Sequence, residues 1–169
     1  ISLQADDDVA GIAETRYKIN DGNWKTYDGK FTVTQDGEHT ITYYSVDDAG
    51  NEEQQQTTTI KLDKTNPSAT IEKPQNGIYL FDRYIMPWFS PRIMGEIEVQ
   101  AIVSDATSGI ERVDFSEDGK TMANDTESPY TWTYDERAIL FHRHTIDITA
   151  VDRAGNTATD TVDIWIFNI

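Results

Sequence analysis

The sequence predicts an all-β protein built as two tandem β-sandwiches, and three observations carry that prediction. A motif recurs: Val46-Asp47-Asp48-Ala49-Gly50-Asn51 is answered by Val151-Asp152-Arg153-Ala154-Gly155-Asn156, an offset of 105 residues that also pairs His39-Thr40 with His144-Thr145. Apolar and polar residues alternate with a period of two, as Ile146, Ile148 and Ala150 do with Thr145, Asp147 and Thr149, which is the signature of a strand with one face buried. Short runs end in Asn20-Asp21-Gly22, Asp28-Gly29, Asp36-Gly37 and Asp118-Gly119, combinations that supply the positive φ of hairpin turns.

Taken in order, the chain opens on Ile1-Ser2-Leu3-Gln4-Ala5, which reads as a strand. Asp7-Asp8-Val9-Ala10-Gly11-Ile12 then matches Asp105-Ala106-Thr107-Ser108-Gly109-Ile110 at an offset of 98. Ile41, Tyr43 and Ser45 alternate with Thr40, Thr42 and Tyr44. At Leu62-Asp63-Lys64-Thr65-Asn66-Pro67 an apolar strand gives way to charge and a proline that cannot continue it. Residues 1–63 therefore form the first sandwich, 64–67 a linker and 68–169 the second sandwich, with an insert over 74–95. The second unit starts with a strand around Ala69-Thr70-Ile71, and the first holds no counterpart to anything before Ile97, so its opening strand is missing.

Composition bounds the function. Lys plus Arg number 14 against 30 Asp plus Glu, a net charge of −16 in 169 residues. Phosphate binders need a basic stripe, so nucleic acid is excluded as a partner, as are anionic lipid surfaces. Hydrophobic residues at 37% and aromatics at 11% are enough for a packed core. Cysteine is absent, which removes disulfides and thiolate chemistry. No apolar run reaches the roughly 18 residues of a membrane helix, so no membrane insertion is expected. The chain starts without Met or a signal segment and reads as processed or as part of a longer protein.

The pattern Arg16-Tyr17-Lys18-Ile19-Asn20-Asp21-Gly22-Asn23-Trp24 with Tyr27, Gly37-Glu38-His39-Thr40 and Asp48-Ala49-Gly50-Asn51 resembles the bacterial and archaeal Ig-like domains of cell-surface proteins. The second unit resembles them through Gly109-Ile110-Glu111-Arg112-Val113-Asp114-Phe115, Ser128-Pro129-Tyr130-Thr131-Trp132 and Asp152-Arg153-Ala154-Gly155-Asn156. The resemblance spans nearly the whole chain. It implies two tandem immunoglobulin-like β-sandwiches, extracellular and without catalysis, serving as spacers, adhesive heads or wall components.

Candidate sites follow from residue type. In each Asp-x-Ala-Gly-Asn turn the acid can accept backbone N–H bonds. The alternative is structural calcium at Asp6, Asp7, Asp8, Asp47, Asp48, Asp105 and Asp152, because calcium takes six to eight oxygens. His142 and His144 share one strand face, as two zinc or copper ligands would, but no third ligand is evident. The insert carries one acid and two arginines among aromatics and Met, the composition of an interface core. Tyr79, Phe81, Tyr84, Trp88, Phe89 and Arg92 are its binding candidates, for a protein or for a glycan. The competing reading makes the insert a cover for the outer face of Ile164-Trp165-Ile166-Phe167, which is apolar on both faces. Trp24 and Trp132 are expected in the sandwich cores. Asn124-Asp125-Thr126 is a glycosylation sequon.

No nucleophile elbow or phosphate-cradling loop is present, so no enzyme and no cofactor beyond calcium is expected. The leading expectation is a structural or adhesive surface module, its partners other copies of itself or neighbouring surface-protein domains. A second is a filament subunit built by strand donation into the first unit, with Ala69–Ile71 or 164–169 as donor. A calcium- or glycan-binding domain is the third.

Overall fold

A computed structural model describes residues 1–135 and 138–168, and every element in it is a β-strand. The chain divides into two units, Ile1–Lys64 and Thr65–Ile169. In the first, β1 (Ile12–Ile19), β2 (Lys25–Thr26), β3 (Gly37–Asp47) and β4 (Gln56–Leu62) form one antiparallel sheet in the order β2-β1-β3-β4. Tyr17 pairs with Tyr43 and Ile19 with Ile41, so these residues share a face. Phe31 stacks on Tyr17 from that side at 4.0 Å between ring centroids. The N-terminus of Ile1 donates to the Phe31 carbonyl and Phe31 N donates back to Ile1.

In the second unit two sheets face each other. One has three strands in the order β12-β9-β5, from β5 (Ser68–Lys73), β9 (Ile97–Ser104) and β12 (Tyr130–Tyr134). The other has seven. Its members are β6 (Ile78–Leu80), β7 (Arg83–Met86), β8 (Arg92–Met94), β10 (Ile110–Glu117), β11 (Lys120–Asp125), β13 (Ala138–Asp152) and β14 (Thr157–Asn168). They run in the order β11-β10-β13-β14-β8-β6-β7. Between the sheets lie Val99, Phe115, Ile146, Ile148, Ile164 and Ile166, all fully buried. Each such side chain contributes about 1.5–3 kcal/mol relative to exposure. The alternation read at Ile146, Ile148 and Ala150 is the observed burial pattern.

The β10–β11 connection shows how local chemistry sets the register. Asp118 and Gly119 have φ of 48° and 80°, the mirror-image turn whose twist matches the flanking strands.

The offsets of the repeat align the four strands of the first unit with β10, β11, β13 and β14. The offset of 98 also sets Ile1 at Val99, and the bonds of Ile1 to Phe31 stand where Val99 pairs with Trp132 in the β12–β9 register. The first unit thus keeps a remnant of the second layer, and among its described residues it has no counterpart of β5.

Five expectations are corrected. Residues 1–5 belong to no strand, the first being β1. Both donor candidates are already engaged: β5 pairs with β9 along Ser68–Lys73, and β14 lies between β13 and β8. The insert does not lie over β14 as a separate cover. It extends the sheet in plane, with β8 parallel to β14 and Ile166 opposite Ile93, because the edge groups of β14 need partners. On the outer side of β14, Arg92 lies over the Trp165 ring at 5.8 Å and over Trp88 at 5.5 Å. Trp24 lies outside the strands and is 36% exposed; it packs edge-on against Tyr44 and under Lys18 Nζ on the outer face. Tyr79 is buried at 4% exposure, a core residue whose hydroxyl accepts from Gln75 N.

Candidate binding surface

The insert becomes a surface because its hairpin overhangs the sandwich. β6 pairs with β8 and leaves β7 as the terminal strand of the sheet, with all four of its residues exposed. The two turn residues, Phe81 and Asp82, sit in the left-handed region at φ 43° and 67°, a conformation that costs a bulky residue. Anchors on both sides hold it. Phe81 N donates to Met94 O at 2.8 Å, Asp82 N to Glu96 O at 3.0 Å, and Asp82 Oδ1 accepts from Lys73 Nζ and Glu98 N. Burial pushes the Asp82 carboxyl up, but Lys73 and the Glu98 amide outweigh it and hold the group below its ordinary value.

Outside this frame Phe81, Tyr84, Ile85 and Met86 are exposed, and Phe89 most of all at 91%. Of the six binding candidates, Phe81, Tyr84, Trp88 and Phe89 face solvent, Tyr79 is core and Arg92 is held between two indoles. The rings do not lie in one plane: Tyr79 and Tyr84 meet at 80°, Trp88 and Phe89 at 63°. Trp132 packs against the core, as expected from the sequence, and Asn124 lies exposed on the edge strand β11.

The acidic candidates occupy the same positions in both units. Asp7 Oδ1 accepts from the amides of Val9, Ala10 and Gly11, and Asp105 Oδ1 from those of Thr107, Ser108 and Gly109. Asp47 binds Asn51 through backbone and side-chain amides, as Asp152 binds Asn156. Asp48 N donates to the Gly11 carbonyl, while Asp6 and Asp8 are exposed. These carboxylates close turns with their own amides. The Val9 amide leads in holding Asp7 low, the Asn51 side chain leads for Asp47, and the Gly109 amide for Asp105. For Asp152, burial pushes up but the Asn156 and Ala154 donors prevail.

A group whose carboxyl is depressed on folding stabilises fully above its unfolded value, about 4, and less as pH falls through the folded value. Acidification also relieves self-repulsion at −16, which acts the other way. Asp105→Asn is therefore expected to lower the melting temperature at pH 6 and to narrow the fall between about pH 6 and 3. An unchanged pH dependence would show that this turn does not couple to protonation.

The histidines separate in role. His39 is buried, its Nε2 hydrogen-bonded to the Gln35 carbonyl. His142 is exposed, with its ring 6.4 Å from that of His144. His144 meets Glu117 and Asp118, neighbours that sequence spacing did not suggest. They meet because β10 also pairs with β13, with Glu117 opposite Ile146.

Residues 67–150 match the family model of the bacterial Ig domain. That stretch is similar to a bacterial Ig domain; it begins just before β5, takes in the hairpin insert and ends within β13. No curated protein sequence matches the chain. Among solved structures, the fibronectin(III)-like modules of Clostridium thermocellum CbhA are 18% identical, covering 97% of this chain and 83% of that one at a TM-score of 0.50. This likeness is one of fold. Also similar are the endo-β-1,4-mannanase of Thermotoga petrophila (16% identity, 63% of this chain and 21% of that one, TM-score 0.45) and the D00-D0 domain of intimin (11%, 94% and 87%, 0.36).

Proposed function

We propose that the chain is a non-catalytic structural module of an extracellular surface protein, and that it meets a second copy of itself through the β6–β7 hairpin. The bacterial Ig match supports the modular role, since such domains generally serve as non-catalytic building blocks. One observation carries the contact: large apolar side chains stand exposed together on a terminal strand, where monomers rarely keep such a patch.

Electrostatics favours a like partner at this place. Two copies at −16 repel over most of their surface. Segment 74–95 holds Arg83 and Arg92 against the single acid Asp82, itself paired with Lys73. A two-fold contact brings one β7 antiparallel to the other, and Pro87, which lacks an N–H, follows at its end. The tilted rings suit interdigitation with a protein better than a flat stack on sugar rings.

Light scattering on the eluting protein tests this. Mass is expected to rise above 19.2 kDa with concentration, and more so with added salt, which screens the repulsion. Phe81→Ser with Phe89→Ser is expected to keep the chain monomeric at an unchanged melting temperature. A wild-type mass fixed at 19.2 kDa under both salts would remove the contact.

A further inference from the structure

Away from the hairpin, Glu117 and Asp118, at the end of β10 and in its turn, converge on His144 of β13. His144 Nδ1 lies 2.9 Å from Glu117 Oε1 and 2.9 Å from Asp118 Oδ2. The three atoms fall within 4.8 Å of one another. A single Nδ1–H can be aligned with only one of those oxygens, so a proton cannot serve both. Both carboxylates are held by a second donor, Asp118 through its far oxygen and Glu117 at the same oxygen that faces His144. The buried Tyr134 donates its hydroxyl to Glu117 Oε1 at 2.5 Å, and Thr145 N donates to Asp118 Oδ1 at 2.8 Å. Outer partners of this kind orient the ligands of a metal.

The first unit supplies a comparison within the same chain. The offsets of the repeat set Ile19, Asn20, His39 and Thr40 where the second unit has Glu117, Asp118, His144 and Thr145. Asn20 adopts φ 52°, accepts from Thr40 N through Oδ1 at 2.9 Å and brings Nδ2 to 3.4 Å from His39 Nδ1. Turn, histidine and strand pairing are thus held there without a carboxylate. The fold does not require two acids at this position. In the second unit they are aimed at a histidine that borders a solvent-open hollow, lined also by Lys120 and Met122.

We propose that Glu117, Asp118 and His144 bind a divalent transition-metal ion of the zinc class. One imidazole nitrogen with two carboxylate oxygens is a donor set for such ions. On bonds of about 2.0–2.2 Å, donors 2.9 Å apart subtend close to a right angle, that of a six-coordinate ion, and a tetrahedral ion would spread them to about 3.4 Å. The two carboxylates balance the ion's charge, and its remaining positions face solvent and the exposed ring of His142. Calcium, which takes oxygens alone, is disfavoured by the nitrogen.

The test uses the full chain stripped with chelator and titrated with zinc chloride by calorimetry in a non-coordinating buffer. One ion per chain is expected, with proton release that varies with buffer. Cobalt(II) substituted at the site is expected to give visible absorption bands. His144→Ala, and Glu117→Ile with Asp118→Asn, which installs the residues of the first unit, are each expected to weaken zinc by about 100-fold or more. Circular dichroism and melting curves establish that the variants fold. Zinc binding no tighter than millimolar in the wild type would overturn the proposal. So would folded variants that bind as tightly as the wild type, or calcium competing on equal terms.

Discussion

Phe115→Ala is expected to cost the second unit about 3–5 kcal/mol, the usual range for truncating a buried aromatic. Phe115 has no exposed surface and stands on β10 facing Trp132 across the sandwich, at 6.1 Å between ring centroids. Val113 on its own strand and Ile146 and Ile148 on β13 are also fully buried, so little can move into the space it leaves. In the first unit the equivalent pair is Tyr17 and Phe31, stacked at 4.0 Å, with Tyr17 at 9% exposure. Tyr17→Ala is expected to cost less, because only a remnant of a second layer packs against it. Urea unfolding of both variants measures this. Equal losses would mean that the first unit is as fully packed as the second.

Gly95→Ala is expected to be the most damaging single-methyl change. Gly95 has φ +88°, where an L-residue costs about 1–2 kcal/mol. An added Cβ would also lie 2.5 Å and 2.8 Å from two ring carbons of Phe81, and overpacking of that kind adds about 1–3 kcal/mol. The Phe81 backbone is held by the hydrogen bond its N–H donates to the Met94 carbonyl. A double-mutant cycle separates the two terms: Phe81→Ala removes the clash and leaves the backbone strain. The cost of Gly95→Ala is then expected to shrink by about 1 kcal/mol or more in the Phe81→Ala background. Additive effects would mean that the ring swings away freely.

Position along the chain explains which features the sequence disclosed. The Asp-Gly turn of β10 and β11, the alternation along β13 and the repeated Asp-x-Ala-Gly-Asn turns are local, so adjacent residues carry their whole signal. The size and apolar ring of Trp24 predict a core position, while the cover it provides for Tyr44 belongs to the outer face of a sheet, which no adjacent residue signals. Tyr79 differs from expectation for the same kind of reason. Its exposure depends on β8 and β14, and β14 lies more than seventy residues away in sequence.

By itself the sequence determined the β-class, the repeat and its turns, because side-chain periodicity and positive-φ residues act over a few positions. Only the tertiary structure decided that β14 takes the insert as a neighbouring strand, since an edge must be paired wherever a partner can reach it. Tertiary structure likewise brought Glu117 and Asp118 to His144. Their meeting rests on a pairing register between strands more than twenty residues apart, set by the packed face of Phe115 and Ile148 and invisible in the spacing of the ligands themselves.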